Sequence, residues 1–484
     1  MQVWKVLILL AGIAGCATTA PLQLGVSPPE LDRHARAPDW QVAGPEAVGW
    51  LQDYLRVDTS NPPGHEARAA DFLSAILQKE GIASQRIQHA PGRESLIARL
   101  PATATATIAG ESEKPLCLLA HTDVVTAEAA QWPAGKGPLS GASDGTFVWG
   151  RGALDMKGMG IIELATLIQL KRHKVPLRRE VVLLAVADEE VDNRGMRELI
   201  AKHWDKIGCS HLINEGGLGV RGVLAPDQTL YGISVAEKGL LWLRLTAHGK
   251  SGHGSTPLPG RAPDRLLDAL EKLRTRKLLA QVHPSVYGAL AAAGEQLGGF
   301  KGWVLRRPFW VDHLALGTLM AEPGSRAMLT NTCSVTGFAG MFEPNVVPSE
   351  VSAQLDCRVL PGTQPADLLK ELQAVVGDSN LTWQVLHQAP ATESPSDDPL
   401  FRALARRAIE GQRDAAVGPL LSVGFTDSMY ARQIGVRAYG FVPITIDREL
   451  AETMHGVGER IPIAEFVRGL GVLYRAVVDT AAAP

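Results

Sequence analysis

From residue 46 onward, apolar positions along the chain alternate between two periods. Phe72, Leu73, Ile76 and Leu77 share one helical face, and the helix stops at Gly81. Pro115-Leu116-Cys117-Leu118-Leu119-Ala120 is a short unbroken apolar run, which predicts a strand buried on both faces. Ile161, Leu164, Ala165 and Ile168 give a second helical face. Val181-Val182-Leu183-Leu184-Ala185-Val186 gives a second buried strand, followed by a helix through Met196, Leu199 and Ile200. Leu212-Ile213 is a third, shorter strand. This rhythm predicts an α/β fold, a mostly parallel sheet covered by helices.

The pattern changes near residue 236. Leu241-Trp242-Leu243-Arg244-Leu245-Thr246 and Val351-Ser352-Ala353-Gln354-Leu355-Asp356 mix apolar and polar positions as half-buried strands do. Helices are expected beside them at 264–274 and 365–376. An α+β domain, 237–390, is therefore expected as an insertion between the two parts of a larger domain, 46–236 and 391–484. Pro390 to Pro399 reads as the return linker, and helical patterns resume at 400–410 and 463–478 around a strand at Ala438 to Val442. The stretch 275–325 has no clear period.

With 484 residues, 45% hydrophobic and 20% charged, the composition is that of a folded soluble protein with two or three domains. A net charge of −3 gives no large basic face, so nucleic acid is not the expected partner. Residues 1–15 carry Lys5 ahead of a short apolar core, Val6 to Ile13, the layout of a secretory signal too short to span a bilayer. Ile13-Ala14-Gly15-Cys16 resembles a bacterial lipobox, which implies cleavage before Cys16, a lipid on its sulfur and no other membrane attachment. Ala17 after it resembles the signal of cargo sorted to the outer membrane, facing the periplasm. The proline-rich stretch 16–45 reads as a tether. Export permits disulfides, and Cys333 and Cys357 flank a strand–loop–strand centred near Asn345, so their pairing is left open.

Candidate metal ligands gather where the predicted strands end. His121 and Asp123 follow the first strand, Glu189 and Glu190 the second, and Glu215 the third. Asp155 lies in a Gly-rich turn, Trp149 to Gly158, that opens a helix. Sites in open α/β sheets form beyond the carboxyl ends of the strands. Converging carboxylates and imidazoles are costly to bury unpaired, and a divalent cation neutralises them. The donors outnumber what one tetrahedral zinc takes, which points to two metals sharing a carboxylate.

These stretches resemble metallopeptidase family twenty, the dinuclear zinc carboxypeptidases, aminoacylases and deacylases. The resemblance rests on Asp58 to Gly64, His121-Thr122-Asp123, Gly150 to Gly158, Asp188-Glu189-Glu190, Asn214 to Gly217, Glu237-Lys238-Gly239, Gly252-His253, Asn345 to Pro348, Asp356-Cys357-Arg358, Thr426-Asp427-Ser428 and Met454-His455-Gly456. The Trp-Gly-Arg-Gly-Ala-Leu-Asp turn and Asn214-Glu215-Gly216-Gly217 look most like the carboxypeptidase S branch. The resemblance implies a zinc-exopeptidase catalytic domain with an inserted lid that dimerises. It implies two Zn2+ per subunit, replaceable by Co2+ or Mn2+, roughly 3.5–4 Å apart. By position, His121 and Glu215 would hold one metal, Glu190 and His455 the other, with Asp155 bridging and Asp123 orienting the His121 ring. Glu189 would be the general base, passing a proton from water to the leaving nitrogen. His253 would stabilise the oxyanion in a partner subunit's site. Arg358 would clamp a substrate carboxylate with its planar fork, with Asn345 at the same wall.

The implied reaction is hydrolysis of the amide bond of a small peptide or N-acyl amino acid bearing a free carboxylate. The alternative is a surface lipoprotein that binds a ligand or metal without turnover; a second glutamate beside a ligand speaks against it. The family often has Gly-Gly before Thr-Asp, whereas this chain has Gly424-Phe425, which adds bulk at the substrate loop. Two other motifs lack their structural context. Gly141-Ala142-Ser143-Asp144-Gly145 fits a nucleophile elbow but no strand leads into it and no helix follows. Gly217 to Gly222 fits a dinucleotide fingerprint, but Pro226 blocks the helix it needs.

Overall fold

The computed structural model describes residues 38–483 apart from 104–106, 109–110, 223–224, 257 and 341–342. The expected signal 1–15, Cys16 and the stretch up to Ala37 lie outside the described residues. The chain is already helical at Trp40, within the span read as a tether: α1 (Trp40–Arg56) is capped by Asp39, whose carboxylate accepts the Gln41 amide at 2.9 Å. Pro45 closes the proline-rich stretch expected to be a tether. The structure accommodates it one turn into the helix, where Ala43, Ala47, Leu51 and Leu55 form a buried face at four-residue spacing.

Next come α2 (Glu66–Lys79), a hairpin of β1 (Ser84–Ala90) and β2 (Arg93–Leu100), and then β3 (Glu111–His121), α3 (Lys157–Arg172), β4 (Arg179–Val186), α4 (Arg194–Ile207) and β5 (His211–Asn214). The short β6 (Gly219–Arg221) leads to the longer β7 (Thr229–Glu237). A second set follows: β8 (Gly239–His248), α5 (Ala262–Thr275), α6 (Pro284–Leu297), β9 (Thr332–Gly340), β10 (Glu350–Val359), α7 (Pro365–Val376) and β11 (Leu381–Ala389). The chain closes with α8 (Pro399–Ile409), β12 (Ala415–Ser422), α9 (Asp427–Gln433), β13 (Arg437–Gly440) and α10 (Ile463–Ala481).

The large sheet runs β1–β2–β4–β3–β5–β13–β7–β6, with β12 beside β7. Its centre, β4–β3–β5–β13, is parallel, so those four strands end on the same edge. Leu116 to Leu119 and Val181 to Val186 are almost wholly buried, each large side chain contributing about 1.5–3 kcal/mol. The second sheet, β9–β10–β8–β11, is antiparallel. Leu241, Leu243, Leu245 and Ala247 point to a face covered by Leu266 and Leu273 of α5 and Leu368 and Leu372 of α7. The alternate residues Trp242, Arg244 and Thr246 face away, the period-two pattern of a one-sided sheet. Cys333 and Cys357 are register partners on β9 and β10 and form a disulfide. Cys117 of β3 pairs with Cys209, just before β5, a link the sequence did not suggest.

The stretch without a period folds as α6 and a run of short helices, Gly299–Leu305, Pro308–Trp310, Leu316–Ala321 and Pro323–Leu329. It packs against β12 of the large sheet, with Val286 and Leu329 in the main core. A Cβ at Gly418 would lie 2.7 Å from the Ala289 Cα, so glycine there is what lets α6 approach the strand.

Candidate metal centre

The parallel strands deliver the donors. His121 is the last residue of β3, Glu189 and Glu190 follow β4, and Glu215 follows β5. Asp155 comes from the turn before α3, where Gly152 has φ +91° and a Cβ would strike Val124. His455 sits at φ +57° between Arg448–Ala451 and Arg460–Pro462, a left-handed conformation uncommon for a residue with a Cβ.

Asp155 lies between the two imidazoles. Its Oδ1 is 3.0 Å from His121 Nε2 and its Oδ2 is 3.0 Å from His455 Nε2. Glu215 is 3.6 Å from His121 Nε2, and Glu190 is 3.4 Å from His455 Nε2. Donor atoms of His121, Glu189 and Glu215 converge in one group, and those of His121, Asp155 and Glu190 in another. Asp123 is fully buried behind His121: its main-chain oxygen lies 3.0 Å from Nδ1 and its carboxylate 3.7 Å. That carboxylate also accepts the amides of Glu189 and Glu190, both at 3.1 Å, so it positions the whole Glu-Glu pair.

The electrostatics are those of crowded acids. Burial disfavours a charged His121, but Glu215, Asp123 and Asp155 outweigh it and hold its pKa well above the usual value. Asp155 and Glu190 draw His455 up to about 10. Burial resists ionisation of Asp155, yet bonds from both histidines hold it far below the carboxylate range. Burial, reinforced by neighbouring carboxylates, pushes Glu189 and Glu215 well above it. Glu190 Oε1 is buried with no hydrogen-bond partner among the described residues. Imidazole nitrogens aimed at a shared carboxylate, together with an orphaned carboxylate oxygen, fit a pair of cations.

Several partners of this cage lay outside the sequence reading. Asn61 Nδ2 donates to Asp123 and Asp188, both at 2.8 Å, and Arg93 ties Asp188 to Asn61 and Glu66. Asn193 donates to Glu189 at 3.3 Å and to Asp427 at 3.1 Å. Glu459, fully buried, accepts the amides of Gly152, Leu154 and Asp155 and pairs with Arg151 at 2.6 Å. Asp58, Asn61 and Arg151 belong to motifs the sequence flagged, but nothing local marks Arg93 or Glu459.

Two residues before Asp427, which shares Asn193 with Glu189, Phe425 packs against Trp242 and lies 5.0 Å beneath the Arg358 guanidinium. Arg358 spends Nε and Nη2 on Asp356, at 2.8 and 2.9 Å, and leaves Nη1 buried without a partner. On the Asp155–Glu215 side opens a cavity of about 420 Å³, lined mostly by apolar groups including Leu218, Val220, Leu230, Met328 and Leu420. His253 lies on a short strand pair, Gly252–His253 with Val346–Val347, opposite Val346, and the Asn345 carbonyl just before that strand accepts the Gly254 amide at 2.8 Å; both side chains are exposed. The His253 ring bonds Ser255 at 2.7 Å, and among the described residues neither side chain contacts the cage. Ser143 is exposed on a two-residue strand, with its hydroxyl accepting the Gly145 amide. Gly219–Arg221 is strand, with no helix opening there.

The model described as "Peptidase family M20/M25/M40" matches residues 117–479. The chain is similar to a probable carboxypeptidase S-like 2 of Dictyostelium discoideum, 24% identical over 388 residues, 76% of this chain and 72% of that protein. It is also similar to aminoacylase-1A of Rattus norvegicus, 26% identical over 452 residues, 91% of this chain and 98% of that protein. Among solved structures, an M20 family metallo-carboxypeptidase from Sulfolobus solfataricus shares the fold, with TM-score 0.66 and 19% identity, covering 90% of this chain and 98% of that one.

Proposed function

The chain belongs to peptidase family M20/M25/M40, and from that premise we propose that it hydrolyses the amide bond of small peptides or N-acyl amino acids carrying a free carboxylate. The observation that carries the reading is Asp155, with one oxygen on His121 and the other on His455. His121 and Glu215 would hold one cation, Glu190 and His455 a second, and Asp155 both. Imidazole and carboxylate donors without a thiolate suit zinc, and admit cobalt or manganese. When bound, such a pair polarises the amide carbonyl and acidifies water.

The protein's own groups do the rest. Asp123 fixes the His121 ring and, through two amides, the direction of both glutamates. Glu189, whose burial favours the protonated carboxyl, takes a proton from the attacking water and returns it to the leaving nitrogen. Arg358 offers its unpartnered Nη1 to the substrate carboxylate. Phe425 stacks under that guanidinium, so the bulk that departs from the family pattern braces the clamp. The apolar cavity then receives the acyl group or side chain across the scissile bond. The exposure of His253 and Asn345 supports a role in trans, in a homodimer. The amino-terminal lipobox supports export and anchoring at Cys16, on the periplasmic face of the outer membrane.

Replacing Glu189 by Gln tests the reading. The variant is expected to keep its metal content by elemental analysis and to lose about 10²–10⁴-fold in kcat on N-acetyl amino acids and dipeptides. A variant as fast as the parent sinks the base assignment. An active parent that binds no transition metal sinks the whole proposal.

A further inference from the structure

The segment 299–321 carries a surface feature that the hydrolytic site does not use. Phe300, Trp303, Trp310, Phe309 and His313 form a continuous ladder of rings, with successive centroids 6.0, 5.3, 5.1 and 4.2 Å apart. Phe300 is 71% exposed, Phe309 47% and Leu314 52%, while Trp303 and Trp310 are half-buried beneath them. Aromatic residues are only 5% of the chain, and four lie within these few turns. Basic side chains are interleaved: Lys301 and Arg306 are exposed, and Arg307 lies 4.5 Å over the Trp303 ring. Asp312 is the one acid between 299 and 316, and it accepts the Tyr287 hydroxyl at 2.6 Å. A chain of net charge −3 thus concentrates positive charge where it exposes aromatic rings.

We propose that this aromatic, basic ridge docks onto an anionic lipid surface. Trp and Phe favour the boundary between headgroups and acyl chains, and flanking Lys and Arg are drawn to anionic headgroups. A docked protein partner usually buries aromatics under a polar rim, and charged residues are depleted at the centre of such patches; here the cations sit among the rings. No helix among the described residues is long and apolar enough to cross a membrane, so contact through this ridge is peripheral. Ala289 and Met328, on the helices that flank this segment, line the apolar cavity beside Asp155 and Glu215. The proposal stands on the ridge itself and does not require the hydrolytic reading or an anchor at Cys16.

The test uses the full chain with neutral phosphatidylcholine vesicles and with vesicles carrying phosphatidylglycerol. Partition is measured by cosedimentation, and contact at 299–321 by slowed amide exchange. The parent is expected to bind the anionic vesicles more tightly and to gain protection in that segment. Phe300→Ser with Phe309→Ser should lower the partition coefficient by at least about tenfold. Lys301→Gln with Arg306→Gln, which disturbs no ring contact, should lower it by roughly fivefold per charge on anionic vesicles only. All proteins share one amino terminus, so the ratios report the ridge even if an anchor adds binding. Unchanged rates on a soluble substrate show that the variants remain folded. Equal partition of parent and Phe variant, or no protection of 299–321, overturns the proposal. So does a loss of self-association in the variants without a change at vesicles, which would mean that a second copy covers the face.

Discussion

Replacing Glu459 by Gln changes one atom type in the second layer of the metal centre. Glu459 is fully buried and Arg151 is 3% exposed, and their contact at 2.6 Å is a desolvated ion pair. Burial raises the Glu459 pKa and Arg151 lowers it, so the anion depends on its partner. Gln keeps an oxygen for the amides of Gly152, Leu154 and Asp155, now at 3.1, 2.8 and 3.2 Å. Its amide NH2, however, faces the guanidinium, donor against donor. Among the described residues Arg151 retains one hydrogen bond, to the Gly456 carbonyl at 2.8 Å, and a place over the Trp132 ring, and its charge is left without an anion in the interior. Breaking such a pair costs about 3–5 kcal/mol. Urea denaturation at neutral pH should show a loss of that size. The turn held by Glu459 carries Asp155, so metal affinity should also fall by about 10–100-fold in a cobalt titration. Arg151→Met in the same chain removes the stranded charge, so the double variant should be as stable as Glu459→Gln or more so. A Glu459→Gln loss below about 1 kcal/mol, the worth of an exposed pair, would refute the reasoning. So would a double variant whose cost is the sum of the two singles.

Two further outcomes follow, one from a buried lysine and one from the apolar cavity beside the cage. Lys238 donates to the carbonyls of Ala327 and Thr330 and to Thr332, and burial, aided by Arg358, lowers its pKa to about 7. Between pH 7 and its unfolded value the unfolded chain binds the extra proton, so this residue makes folding stability rise with pH across that window. The penalty is complete below pH 7, and the rise should be present in the parent and absent from Lys238→Met, and so appear in the difference between their denaturation curves from pH 6 to 10; a rise of the same size in both contradicts it. In the cavity, each methylene added to an N-acyl amino acid should raise kcat/KM by roughly fourfold, from about 0.8 kcal/mol of burial, until the space is filled. Val220→Phe should move the plateau to shorter chains and leave N-acetyl substrates alone, and a flat chain-length profile in the parent would remove the cavity from substrate binding.

What the sequence makes legible here follows from how locally each signal is written. An unbroken run such as Val181 to Val186 can be buried only between other strands, so its end and the acids that follow are readable from neighbouring residues alone. The alternation through Leu241, Leu243 and Leu245 likewise states which side of β8 is covered. Helix α1 is equally legible in Ala43, Ala47, Leu51 and Leu55, although the prolines up to Pro45 mask that spacing. Other features have no local form. Arg151 and Glu459 are 308 positions apart, and each alone looks like a surface charge. Cys117 meets Cys209 only because β3 and β5 are adjacent, and no pattern within either strand states that order. Pro308 and Pro323 break the segment 299–329 into helices too short for a period, and the seat of α6 on β12 depends on a glycine over a hundred residues later. The asymmetry has a physical root: a strand's burial constrains every second or every residue along it, whereas a buried charge constrains only whichever residue the finished fold sets opposite. Donors at strand ends inherit the first kind of constraint. The residues that hold those donors still obey the second, and only coordinates reveal them.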